Sequence, residues 1–151
     1  MGQQQLLLLV LSTVIVGLAT VAGIQAFSEN QAQASQDALV QRGTAIASDI
    51  QGLAGRPEQM GGIDLSSGSV KGADVADALG YETTGNKSGK QVKADGAGSS
   101  GTCTIEDQST ADEMTVKCTS DDAPQDVSVT VNPSNANDGK SSTDAITTSF
   151  S

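Results

Sequence analysis

The sequence predicts an α+β fold: a long N-terminal α-helix, about residues 1–54, packed by its second half on a small antiparallel β-sheet head domain. Three observations predict it. No proline stands before Pro57, so nothing forbids one continuous helix from the start of the chain. The apolar pattern of that stretch changes after Ile24, from apolar on all sides to a single stripe. Beyond it, segments around Cys103, Cys118 and Val127–Val131 alternate with the period of two that marks half-buried strands.

The first part of the helix is the most distinctive. Nothing from Met1 to Ser28 carries a charged side chain, and Glu29 is the first that does. Between Leu6 and Ile24 stand Leu6, Leu7, Leu8, Leu9, Val10, Leu11, Val14, Ile15, Val16, Leu18, Val21 and Ile24, interrupted by polar side chains only at Ser12, Thr13 and Thr20. As a helix this run spans roughly 28 Å, close to the ~30 Å hydrocarbon core of a bilayer. Each large aliphatic contributes about −0.3 to −0.6 kcal/mol on an insertion scale, and their sum outweighs the two glycines and three hydroxyls. Residues 1–24 are therefore read as a segment that resides in lipid or in an equally apolar assembly. Gly17 and Gly23 each cost about 1 kcal/mol relative to Ala in a helix. They read either as close-packing positions, Ala19 and Gly23 forming a small-xxx-small pair, or as weak points where the helix unwinds.

Residues 25–54 are amphipathic. Leu39, Gly43, Ile46, Ile50 and Leu53 recur at three- to four-residue spacing and make one stripe, with Leu39, Ile46, Ile50 and Leu53 as the residues that pack on the head. Gln31, Gln33, Gln36, Asp37, Gln41 and Asp49 occupy the remaining face. Gly52, Gly55 and Pro57 close the helix. A helix of this kind has two burial partners, one for each half.

Four readings of the N-terminus are open. A secretory signal has a basic n-region and a shorter apolar core, whereas Gly2-Gln3-Gln4-Gln5 is neutral, although Ala32-Gln33-Ala34 passes as a cleavage site. Myristoylation at Gly2 calls for Ser or Thr where Leu6 stands. A plain single-pass anchor fits the hydropathy, yet the nearest basic residue is Arg42, too far to set orientation. Prior removal of a short basic leader accounts for the missing charges.

On Gln5-Leu6-Leu7-Leu8-Leu9-Val10 and the uncharged run to Ile24, residues 1–54 resemble type IV pilins. The resemblance implies a mature chain that begins with an apolar helix continuing under a β-sheet head. It implies a structural subunit of an extracellular filament, held in the inner membrane until a leader peptidase and the pilus assembly machinery have acted on it. Its partner in the filament is then itself, as a helical homopolymer, in which Met1, Gln5 and the apolar residues from Leu6 to Ile24 form the core. One departure is clear. Most of the family has a glutamate at mature position five, and here that position is Gln5, or Leu6 if Gly2 is first. A neutral amide brings no charge to a neighbour's amine and avoids burying a carboxylate. A membrane-tethered surface protein and a minor pseudopilin of a secretion system are the alternatives.

Residues 55–151 form the acidic head, and only 16 large apolar residues stand there. Such a thin core needs the helix stripe and a cross-link. Thr102–Asp107 and Glu113–Cys118 read as strands joined by Gln108–Asp112; a turn centred near Thr110 and Ala111 sets Cys103 opposite Cys118 and Ile105 opposite Val116. A disulfide there contributes about 3 kcal/mol in the chain-entropy model and fits an oxidising, extracellular location; two reduced core cysteines are the alternative. Val127, Val129 and Val131 make a further strand, Asp138-Gly139 a turn, and Thr143–Phe150 a returning strand, for three or four strands in all. Ala73–Leu79 reads as a short helix and Tyr81–Gly101 as a loop or irregular edge.

Several function classes fall away. A net charge of −10, from 18 acidic and 8 basic residues, repels nucleic acid. Gly96, Gly98 and Gly101 spell a dinucleotide fingerprint, but a strand follows where a helix is required. Gly85-Asn86-Lys87-Ser88 misses the phosphate-loop pattern, and Asn86-Lys87-Ser88 is a short glycosylation sequon. Asp107, Asp112, Glu113, Asp121, Asp122 and Asp126 form no calcium loop and read as a solvated face, so no metal or cofactor is expected. With no histidine and no identifiable carboxylate pair, the chain is not read as an enzyme. Its scattered aspartates suit a high-salt habitat, where screening relieves self-repulsion. Refolding midpoints measured against salt concentration should accordingly rise; a midpoint indifferent to salt would count against a self-repelling surface.

Overall fold

The absence of proline has the expected consequence: one helix, α1 (Gly2–Ala54), carries both the apolar and the amphipathic segment without a break. The structure, a computed structural model, describes residues 2–84, 90–133 and 145–151. Helix α1 passes straight through Gly52 and stops where Pro57 restricts the residue before it, with the Arg56 amide donating to Leu53 O at 3.1 Å. Two 3-10 turns follow at Glu58–Met60 and Leu65–Ser67, then α2 (Gly72–Leu79). Five strands complete the described residues: β1 (Gln91–Lys93), β2 (Thr102–Ile105), β3 (Met114–Thr119), β4 (Val127–Val131) and β5 (Ile146–Phe150).

The strands form a single antiparallel meander in the order β1-β2-β3-β4-β5. The α+β class is as the sequence implies, but the sheet has five strands rather than three or four. The additional one is β1, in the segment read as loop or irregular edge; only Val92 in it is apolar, and pairing with β2 rather than its own pattern makes it a strand. Strand β5 starts at Ile146, and the Asp138-Gly139 turn, Thr143 and the Asn86 sequon lie outside the described residues.

Alternation sorts each strand cleanly. Cys103 and Ile105 of β2, Met114, Val116 and Cys118 of β3, and Val127, Val129 and Val131 of β4 are buried, while the Thr, Ser and Lys residues between them are half-exposed. The buried face is covered by α1, through Ser35, Leu39, Gly43, Ile46, Ala47, Ile50 and Leu53, and at its β2 side by α2. All four residues expected to pack on the head do so; Ser35 and Ala47 join them because small side chains suffice where the layers are close. Gln108, buried between layers, accepts from the Val70 amide at 3.2 Å and donates to Leu65 O, tying the 3-10 segment to the sheet. Asp107 accepts from the Gly72 amide at the start of α2 and pairs with Lys90; these contacts, the lysine first, hold its carboxyl below the usual range.

Cys103 and Cys118 face each other in register and are joined by a disulfide. The Glu106 amide donates to Thr115 O, so by the antiparallel alternation Cys103 and Cys118 occupy a non-hydrogen-bonded pair, the closer of the two kinds. The Cys118 sulfur lies under α1 at Gly43, where helix and sheet come close. A Cβ on Gly43 would meet Val129 Cγ2 at 2.9 Å and Cys118 Sγ at 3.2 Å, whereas one on Gly52 meets nothing within 4 Å. Gly43→Leu should therefore lower the stability of the detergent-solubilised protein by about 1–3 kcal/mol through overpacking. Gly52→Ala should leave the denaturant midpoint unchanged or slightly raised.

Candidate functional site

A run of α1 from Gly2 to Gln31, about 45 Å of helix, is exposed along its whole length. A helix forms here because leucine, alanine and glutamine favour it, and the run carries no breaker stronger than Gly17 and Gly23. Both glycines sit within unbroken helix with no neighbour near them, so neither is a point of unwinding in the isolated chain.

Every large apolar residue expected in the assembly segment is on this bare stretch. Leu6, Leu7, Leu8, Leu9, Val10, Leu11, Val14, Ile15, Val16, Leu18, Val21 and Ile24 are between 50% and 68% exposed. Met1 lies outside the described residues, and Gln5 is exposed in the helix's first turns. Phe27, absent from the expected set, is 72% exposed one turn beyond Ile24 and prolongs the apolar surface. Its spacing of three from Ile24 was the available signal. An unpartnered patch of this size marks a surface meant for other apolar material.

The polar side chains inside the segment are already satisfied. Ser12 donates to Leu9 O and Thr13 to Val10 O, each at 2.8 Å, and Thr20 donates to Val16 O. Hydroxyls bonded back to their own helix make no demand on the surroundings, and in lipid or a protein core each unsatisfied one would be costly. A helix this long and apolar near the N-terminus is compatible with anchoring in a membrane or with a signal sequence.

On the half of α1 that the head covers, Arg42 and Asp49 converge with Tyr81, which stands 32 positions beyond Asp49. Tyr81 donates its hydroxyl to the Asp49 carboxylate, and the Arg42 guanidinium lies over the same ring, 5.2 Å from its centroid. This ties the segment after α2 to the helix. Burial, then the hydrogen bond to Asp49 and that residue's charge, push the phenol up from 10.0 to about 12, with Arg42 opposing. Among the described residues no three His, Cys, Asp or Glu side chains converge as a metal site. Of the carboxylates considered for calcium, Asp126 pairs with Lys117 at 3.3 Å and Asp107 with Lys90.

Compared with family models, with curated proteins and with solved structures, the chain has no match.

Tyr81 is the only tyrosine and there is no tryptophan, so tyrosinate absorbance reports this contact alone. The titration should have its midpoint near 12 rather than 10.0. Because the folded-state value is raised, the stability this hydroxyl contributes is whole below the unfolded value and is lost as pH climbs through the folded one. Asp49→Asn should move the midpoint down; a wild-type midpoint at the ordinary phenol value would mean that the contact does not form.

Proposed function

We propose that this chain is a structural subunit of an extracellular type IV pilus-like filament, polymerising through its hydrophobic N-terminal helix. The reading is carried by one observation: a bare helix without a charge before Glu29, apolar around its circumference, with its three hydroxyls bonded internally. Copies of such a helix bundle into a continuous apolar core, and the acidic heads make a hydrophilic sheath around it. Lipid and that core are similar solvents, so the same segment stores the subunit in the inner membrane before the assembly machinery extracts it. The leader peptidase acts earlier, and neither nucleic acid nor a cofactor enters the scheme. The disulfide fits an oxidising exterior.

The match between the roughly 28 Å apolar run and the ~30 Å hydrocarbon core favours a second reading, a single-pass membrane-tethered surface protein. Sheared cell-surface material separates the two, since abundant filaments made of this chain arise only under the first. An Asp at the centre of an apolar helix costs about 2.5–3.5 kcal/mol on the insertion scale. Leu8→Asp or Val16→Asp should therefore cut filament yield more than tenfold while the head keeps its unfolding transition. Normal filaments from either variant would refute a buried helical core.

A further inference from the structure

Four charged side chains stand on α1: Glu29, Asp37, Arg42 and Asp49. Asp49 receives the Tyr81 hydroxyl. Arg42 is half-buried with its guanidinium over the Tyr81 ring, its Nε is enclosed without a hydrogen-bond partner, and the ion pairs among the described residues all use lysines instead. Glu29 is exposed on the bare helix, and its side chain makes no ion pair with another of the described residues.

Glu29 and Arg42 are thirteen positions apart, about 20 Å along the axis and about 140° around it. The stripe bound to the head lies between them, so they project from its two opposite flanks. A helix that meets one copy through one flank offers the other flank to the next. Such a contact is heterologous and propagates into a helical filament when its rotation does not close.

We propose, on the filament reading above, that Glu29 of one copy pairs with Arg42 of a neighbour displaced by about 20 Å along the axis, and that this pair sets the register of assembly. Burial of apolar surface is non-directional, so smooth aliphatic rods slide past one another with little preference. A carboxylate enclosed among such rods needs a cation, and buried ionic or polar groups are best attested as register devices. Arg42 suits the task because its fork stays charged and keeps donors free while the ring fixes its position. Glu29 rather than Asp37 is assigned because a neighbour's Arg42 stands beside that neighbour's head, and only the bare part of a helix fits in next to it. Asp37 is level with its own head.

Filament yield and salt tolerance from cells carrying charge variants test this. Glu29→Lys, which touches nothing in the head, should lower yield at least tenfold, and the double variant Glu29→Lys with Arg42→Glu should recover most of it. Asp37→Lys should leave yield near wild type. Thermal unfolding of each solubilised variant confirms that the head is folded; if Arg42→Glu unfolds it, Arg42→Gln replaces it, and lower yield with a folded head is expected. Wild-type filaments from Glu29→Lys, or loss with Asp37→Lys alone, would overturn the pairing and leave the filament reading intact. Absence of filaments from the wild-type chain would overturn the reading on which the pairing rests.

Discussion

A sheet with one apolar face cannot stand in water without a second layer, and in this molecule that layer is half of a helix whose other half is equally in need of cover. At Gly43 the backbone of α1 sits close on Cys118 and Val129 of the sheet. Everything else in the head is arranged around that line. The buried valines of β4 and the disulfide of β2 and β3 face it, Gln36 accepts from the Gln125 amide beside it, and Tyr81 closes over its flank through Asp49 and Arg42. Because the head contributes few large apolar residues of its own, the helix is part of its core rather than an appendage to it.

The same helix meets two solvents. Up to Gln31 its side chains face outward in every direction, and from Ser35 to Leu53 one face is sealed. The polar stretch between, with Glu29, Asn30, Gln31 and Gln33, separates an apolar region from an acidic one. With the two kept apart, the apolar part can change its surroundings without any change in the head.

Much of this architecture was legible in the sequence, for identifiable reasons. The helix could be bounded because proline is a near-absolute signal and none occurs until Pro57. The β2–β3 register followed from a turn centred near Thr110 and Ala111, which sets Cys103 opposite Cys118 and Ile105 opposite Val116, while alternation keeps all four on one face. Strand β1 was not legible, because three residues with a single valine have no periodicity and become a strand only by pairing. Ser35 and Ala47 escaped notice because hydropathy ranks side chains by size, while the close approach at this interface selects for smallness. The Arg42–Tyr81–Asp49 cluster joins residues 32 positions apart at its donor and acceptor, and no local pattern announces such a contact. Phe27 was a nearer miss, readable from its spacing to Ile24.

The cross-strand disulfide also governs how the molecule behaves under tension. A head pulled through its helix can yield only by giving up folded chain, and each released residue adds at most about 3.3–3.6 Å of contour. The bond between Cys103 and Cys118, with a sequence separation of 15, withholds its whole loop from that reserve, which is on the order of 50 Å. Strands β2 and β3 therefore stay clasped even when the layers around them part, and a stretched head retains a seed from which to close again.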